Sequence, residues 1–300
     1  MSDAQESRRI SILHVTPVIV DILIALLLAT ILYNSQIIEE VGSPFSQEQD
    51  IGSTVYNLIV FMTLLGFGSL ILFLLVKIRR LDLLRLFFTA SLFLTIYSLN
   101  DIFGYSTLIV LNMYREEILM VQEVLSIAIA VISLYVIFKI EDEKYSAPIV
   151  LLYGSAAGAL LGATLPLWSV IAIAIFISLY DIYSVFRGPL KHLVELTKPR
   201  EEKELSGGRL SRKSIFRGVT VPFKGLHIGL GDIVFYSTIV VSSYLYSEPS
   251  ILRAIIPSIG IVIGSYLTFK LLEKRPVLPA VPIPSILASI LIIIAVSIGI

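Results

Sequence analysis

The chain has 300 residues, of which 56% are hydrophobic and only 15% charged, and its formal net charge is zero. Its mean hydropathy of +0.89 is far above what a soluble domain needs to fill a core. The composition excludes a soluble globular protein, and the zero net charge argues against nucleic acid as a partner. The absence of cysteine excludes disulfides and thiolate chemistry. We therefore predict an all-α, multi-pass protein of the lipid bilayer.

Nine apolar runs have about the 20 residues that a helix needs to cross the hydrocarbon core of a bilayer. The third run carries Asn100 and Asp101 and is too long for one straight span, so eight or ten spans also fit the pattern. The fifth and sixth runs meet at Pro166 with almost no loop, which predicts a tight hairpin. The nine predicted spans are residues 15–33, 55–76, 86–111, 118–138, 147–165, 167–186, 226–246, 255–272 and 283–300.

The positions of Lys and Arg predict the orientation, because short cytoplasmic loops are enriched in these residues. With nine spans, every Lys and Arg except Arg115 and Arg253 falls on one side. We expect a cytoplasmic N-terminus and an exterior C-terminus in a cell membrane. The charged connection 187–225 is then a partly disordered cytoplasmic loop, either a linker or a gate for substrates.

Five acidic residues fall within the predicted spans, where each costs about 3 kcal/mol or more and needs a reason. They are Asp21, Asp101, Glu123, Asp181 and Asp232. Helix rise places Asp181 about 9 Å and Asp232 about 12 Å from the cytoplasmic ends of two antiparallel spans, so the two lie at similar depth. Neighbouring carboxyls that share a proton can act as base and acid, as in aspartyl proteases. Depth alone does not select this pair, because Asp21 lies at a comparable depth. Asp101 and Glu123 fall near exterior ends and are interpreted as interfacial or mutually hydrogen-bonded polar groups, and not as catalysts.

The residues beside the two aspartates allow more than one interpretation. Gly229 and Gly231 flank Leu230 just before Asp232, where glycine serves either helix packing or close approach of a substrate backbone. Tyr180 precedes Asp181 and is either a hydrogen-bonding group of the site or an interfacial aromatic. We assign residues 1–146 to a scaffold of four spans and residues 147–300 to five spans that carry the chemistry.

The segment 275–284 reads RPVLPAVPIP, and its four prolines prevent a regular helix. Irregular backbone at membrane depth persists only where protein buries it or where it lines a cavity. The segment is therefore either the wall of a cavity that binds an extended peptide or a loop outside the membrane.

These motifs resemble those of the presenilin and signal peptide peptidase family of intramembrane aspartyl proteases. The resemblance covers the C-terminal half, including Phe235, Tyr236 and Ser237, and the family's third motif usually ends in leucine where this chain has Val281. It implies a GxGD-type endopeptidase with Asp181 and Asp232 as the catalytic dyad, and the predicted orientation is that of presenilin. The residues implied to bind substrate or shape the site are Tyr180, Gly229, Leu230, Gly231, Pro279, Ala280 and Val281.

The implied reaction is hydrolysis of peptide bonds within transmembrane segments of membrane proteins, by water, without metal or cofactor. The sequence has no HExxH and no GxSxG nucleophile motif paired with a histidine, which disfavours zinc and serine proteases. The alternative function is an ion- or proton-coupled transporter, or a cation-leak channel, that uses the intramembrane aspartates. A catalytically silent scaffold is a third interpretation. Activity alone or as a homo-oligomer is compatible with the short loops.

Overall fold

The computed structural model describes residues 10–39, 42–78, 81–140, 142–186, 218–273 and 279–300. Within these ranges the chain forms nine α-helices and one antiparallel β-hairpin. Short 3-10 turns at Ile12–Val15 and Ile37–Glu39 flank the first helix. The helices are α1 Thr16–Ser35, α2 Ile51–Lys77, α3 Leu81–Val110, α4 Glu116–Lys139, α5 Glu143–Thr164, α6 Leu167–Phe186, α7 Leu230–Tyr244, α8 Ile251–Leu272 and α9 Pro282–Ser297.

The predicted all-α membrane architecture is confirmed. Among the described residues, six helices are long and apolar enough to cross a membrane, namely α1 to α5 and α8. The other three helices are also apolar, and of these α7 and α9 have 15 and 16 residues whereas α6 has 20. Helices α6, α7 and α9 carry, or directly follow, the three motifs of the predicted site.

Helix boundaries follow local chemistry. Pro17 occupies the first turn of α1, where its missing N–H costs nothing, and the Asp142 side chain caps α5 by accepting from the Lys144 N–H at 3.0 Å. The third predicted span is a single helix that begins earlier than expected, at Leu81. The predicted tight hairpin is confirmed, since α5 ends two residues before Pro166 and α6 begins directly after it.

The seventh predicted span was wrong at its start, because residues 226–229 are a strand and not the first turn of a helix. Strand β2, Leu226–Gly229, pairs with strand β1, Thr220–Phe223. Lys224 and Gly225 connect the strands, and both have positive φ, which matches the right-handed twist of a two-residue hairpin. The end of the predicted cytoplasmic loop is therefore ordered as β1, whereas residues 187–217 of that loop lie outside the described residues.

Helix α7 lies at the centre of the molecule and contacts α1, α5, α6, α8 and α9. Every residue from 236 to 244 is buried. Glycines at four-residue spacing on α5, Gly154, Gly158 and Gly162, face α7. A Cβ atom at Gly158 would lie 2.4 Å from the Ser237 Cβ and 2.6 Å from the Val234 carbonyl oxygen. Only glycine permits this distance between the two helices.

Helix α9 contacts α8 in the same manner. A Cβ atom at Gly264 would lie 2.4 Å from the Pro284 Cα, and one at Gly260 would lie 2.8 Å from the Ala288 backbone. Because α9 begins at Pro282, this contact also fixes the position of the proline segment that precedes it.

Candidate functional site

Asp232 lies in the first turn of α7, where the end of the hairpin becomes the helix. Gly229 is both the last residue of β2 and the N-cap of α7, and Asp232 is the third helical residue. The Asp232 carboxyl accepts a hydrogen bond from the Gly229 backbone, as the acidic residue of a capping box does. The Leu230 N–H donates to the Val219 carbonyl at 2.8 Å, which joins the start of the helix to the hairpin.

The two glycines of this motif do not pack helices together. A Cβ atom at Gly229 would meet only Asp232, at 3.0 Å from Oδ2, and one at Gly231 would meet nothing within 4 Å. Leu230 points instead to α5, where its Cδ1 would lie 2.8 Å from a Cβ at Gly154. Leu230 therefore anchors the motif, while Gly231 leaves open space beside Asp232.

Asp181 lies on α6, which contacts α7 directly. Its side chain is half-buried, and Oδ2 accepts a long hydrogen bond of 3.4 Å from the Val281 N–H. The Ala280 backbone is a second partner of this carboxyl. Asp181 and Asp232 lie within Coulombic range of each other, so α6 and α7 bring the two carboxyls together as their similar depth predicts.

The segment 279–281 is non-helical and forms one wall of the site. Val281 is buried, with 6% of its surface exposed, and the Tyr236 hydroxyl donates to the Ala280 carbonyl at 3.1 Å. Pro279 and Ala280 are half-buried beside it. This burial favours the cavity wall over the loop outside the membrane, whereas Pro276 lies outside the described residues.

The remaining candidate residues lie further from this centre. Tyr180 has 49% of its side chain exposed, as expected for an interfacial aromatic. Asp101 on α3 and Glu123 on α4 lie within Coulombic range of each other. Asp21 on α1 is fully buried and contacts α7 through Ser237.

Sequence reasoning missed two contributors to the site. Tyr236 was noted only as part of the family resemblance. Its hydrogen bond to Ala280 could not be predicted, because the two residues are 44 positions apart in the sequence. The glycines of α5 were not singled out, although their spacing of four residues is a recognised signal for close helix packing.

A family model described as Presenilin matches residues 6–206 of the chain, which is more than half of its length. The chain belongs to the presenilin family. The matched region contains Asp181 but ends before Asp232 and Pro279. The presenilin assignment of those two motifs therefore depends on their own residues and geometry.

Presenilin-B of Dictyostelium discoideum is 30% identical to the chain over 122 residues, which are 40% of this chain and 24% of that relative. The match thus spans about a quarter of the relative's length. Two solved structures, both of a presenilin family intramembrane aspartate protease, share the fold. One, in space group C222, has a TM-score of 0.63 at 17% identity and covers 94% of this chain and 100% of its own. The other, in space group P2, has a TM-score of 0.58 at 18% identity and covers 93% of this chain and 96% of its own.

Proposed function

We propose that this presenilin-family chain is an intramembrane aspartyl protease of the GxGD type, with Asp181 and Asp232 as its catalytic dyad. The observation that carries the proposal is the pairing of two carboxyls from α6 and α7 within Coulombic range, beside backbone amides of residues 280 and 281. Two neighbouring acids on membrane helices would be costly without a role.

The geometry suits acid–base hydrolysis of an amide. Two neighbouring carboxyls cannot both ionise easily, so they share one proton and titrate as a unit. The ionised carboxyl removes a proton from water while the water oxygen attacks the peptide carbonyl carbon, and the protonated carboxyl donates its proton to the carbonyl oxygen. Collapse of the resulting diol breaks the C–N bond, and the amine nitrogen receives a proton.

The substrate class is a transmembrane segment of a membrane protein that is extended at the cleaved bond. Helical amides are shielded by their own hydrogen bonds, so the segment must unwind before attack. Strand β2 ends at Gly229, three residues before Asp232, and an extended peptide that pairs with the hairpin would lead toward the dyad. The open space at Gly231 allows a peptide backbone to approach.

We place the N-terminus in the cytoplasm and the C-terminus outside, on the distribution of Lys and Arg. The substrate-binding or site-shaping residues are proposed to be Tyr180, Gly229, Leu230, Gly231, Pro279, Ala280 and Val281. The chain acts either alone or as a homo-oligomer, and residues 147–300 carry the dyad while residues 1–146 support it.

The test is cleavage of a helical transmembrane peptide, with a fluorophore and a quencher at its ends, by the purified chain in liposomes. The unmodified chain cleaves the peptide, and Asp181→Ala or Asp232→Ala alone lowers the rate by about 10⁴-fold or more, to background. Asp101→Asn is the control at another intramembrane acid and leaves the rate nearly unchanged. Cleavage by either alanine variant would refute the dyad. Ion flux that depends on these aspartates, without cleavage, would favour the transporter.

A further inference from the structure

A third carboxyl, Asp21, is the most deeply buried acid among the described residues, and the proposed hydrolysis does not use it. Its side chain on α1 is 0% exposed. A charged group at such a position in a membrane span is expensive, so Asp21 requires a structural or functional reason. Its neighbours supply one.

Asp21 contacts one serine on each of two other helices. Its Oδ1 accepts from the Ser155 hydroxyl of α5 at 2.7 Å and from the Ser237 hydroxyl of α7. Its Oδ2 has no hydrogen-bond partner among the described residues. We call these three residues the Asp21 cluster, and it joins α1, α5 and α7 inside the helix bundle.

The Asp21 cluster has too few hydrogen-bond donors to satisfy an ionised Asp21 carboxylate. Each hydroxyl carries a single proton but also faces a carbonyl oxygen of its own helix, at 2.8 Å from Leu151 for Ser155 and 3.0 Å from Ile233 for Ser237. A carboxylic acid at Asp21 carries its proton on Oδ1 and donates it to one of the two serine hydroxyls, which then donates its own proton to the carbonyl of its helix. It also leaves Oδ2 as an uncharged oxygen, which costs far less to bury without a partner than an ionised carboxylate.

The cluster lies close to the dyad along α7. Ser237 follows Asp232 by five residues, about 7.5 Å of helix rise, and the intervening Tyr236 donates to Ala280 in the site wall. Tyr236 lies within Coulombic range of Asp232, Asp181 and Asp21. Gly158 of α5 contacts α7 at Ser237 itself, so the hydrogen bonds and the closest helix contact coincide.

We propose that Asp21 is a positioning residue, which acts as an uncharged acid that fixes the rotation and depth of α7 and thereby holds the Asp232 carboxyl opposite Asp181. The proposal rests on the proposed protease function, in which Asp232 is catalytic. Asp21 does not contact the reacting atoms and acts through Ser237 and the backbone of α7.

The experiment compares Asp21→Asn with Asp21→Leu in the full-length chain. Asparagine keeps an oxygen acceptor and an uncharged donor, so kcat stays within about threefold of the unmodified chain. Leucine branches at Cγ as aspartate does but is larger and forms no hydrogen bond, and the displaced dyad lowers kcat by about ten- to a hundredfold at unchanged KM. Ser237→Ala also lowers kcat, whereas Ser106→Ala does not, because the buried Ser106 hydroxyl donates to the Ile102 carbonyl of its own helix α3.

A second measurement separates positioning from folding and from the dyad itself. Hydrogen exchange of the amides at residues 229–237 accelerates in Asp21→Leu and stays unchanged in Asp21→Asn. The apparent Tm of Asp21→Asn stays near that of the unmodified chain, and the fall in Tm of Asp21→Leu leaves the chain folded at the assay temperature. Asp181→Ala abolishes cleavage without changing this exchange, so failure of the dyad and failure of the positioning role give different results.

Three outcomes would overturn the proposal. The first is an Asp21→Leu variant with unchanged kcat. The second is a loss of Tm in Asp21→Leu and Ser237→Ala that accounts for the whole loss of activity. The third is an Asp21→Asn variant as inactive as Asp181→Ala, which would make Asp21 a participant in proton transfer.

Discussion

The helices around α7 and the helices at the other side of the bundle are packed very differently. In the most apolar stretches of α1 and α5, 44% and 50% of the residues are buried, whereas the corresponding values are 0% for α2, 17% for α3 and 22% for α4. Large side chains such as Phe67 and Phe73 on α2 are more than half exposed within the chain. The helix that carries Asp232 is thus held on all sides, while α2 has few contacts within the protein.

The glycines reflect the same difference. On α5 a Cβ atom at Gly158 would collide with the backbone of α7, but on α2 a Cβ atom at Gly66 or Gly68 would meet nothing within 4 Å. Rigid packing around α7 suits an acid pair whose geometry must be maintained. Sparse packing of α2 suits a helix whose main neighbour is lipid and which contacts the helices of the dyad mainly along α6 and through the Phe61–Phe235 ring pair.

Among the changes that test this packing contrast, the largest expected effect is that of Gly158→Ala. The new methyl group would lie 2.6 Å from the Val234 carbonyl oxygen, so α5 and α7 must separate. Overpacking of this kind costs about 1–3 kcal/mol. We expect a lower apparent Tm in detergent and a loss of cleavage of about tenfold or more, because the shift moves the helix that carries Asp232.

Gly66→Ala is the matched control for this change, since the same methyl group on α2 meets open space. Its Tm and cleavage rate should remain unchanged or improve slightly, because alanine favours a helix over glycine. Equal effects of the two substitutions would mean that the packing contrast between α5 and α2 has no energetic consequence.

A smaller effect is expected for Tyr236→Phe. This change removes the hydrogen bond to the Ala280 carbonyl and keeps the ring, so the wall formed by residues 279–281 loses one contact to α7. A lost buried hydrogen bond costs about 1–3 kcal/mol, and we expect cleavage to fall about fivefold or more. Tyr135→Phe on α4, where the side chain is 62% exposed, should leave cleavage unchanged. Unchanged cleavage in Tyr236→Phe would show that the wall does not depend on this bond.

The packing contrast also explains what the sequence could predict. Apolar length and the proline at residue 166 are local properties of the sequence, and they located most of the helices and the tight hairpin. Counting residues from the helix ends placed Asp181 and Asp232 at similar depth, and the fold brings the two side chains together. The orientation taken from Lys and Arg stays a prediction. The strands at residues 220–229 were missed because an apolar run adjoining a helix has no distinctive period, and Lys224-Gly225 is a weaker turn signal than Asn-Gly.

The partners of individual side chains required the structure. Asp21 shows the same depth signal as the dyad, but its contact with Ser155 and Ser237 depends on which helix lies next to α1. The Tyr236–Ala280 bond likewise joins residues 44 positions apart. The proline segment fits either a cavity wall or an exterior loop by sequence. The burial of Val281 and its hydrogen bond to Asp181 favour the wall.

The smallest effect on cleavage is expected for Asn57→Ala, which breaks a polar contact of the sparsely packed α2. The Asn57 side chain is fully buried and donates to the Ser46 carbonyl at 2.8 Å and to the Ser169 hydroxyl of α6 at 3.0 Å, while its oxygen accepts from the Ser46 N–H at 2.8 Å. Loss of these bonds frees the first turns of α2 from α6. Hydrogen exchange of amides 46–57 should accelerate by about tenfold. Cleavage should change by less than about threefold, because α7 keeps its contacts with α1, α5, α8 and α9 and loses at most the ring contact between Phe61 and Phe235.

Thr63→Val is the control for Asn57→Ala, since the Thr63 hydroxyl donates only to the Ile59 carbonyl of its own helix, and exchange at residues 46–57 should stay unchanged. A loss of cleavage in Asn57→Ala as large as that in Gly158→Ala would contradict the contrast, because it would mean that the position of α2 controls the dyad as strongly as the packing of α5 does. Faster exchange with nearly unchanged cleavage would instead show that α2 can detach at this end while Asp181 and Asp232 remain paired.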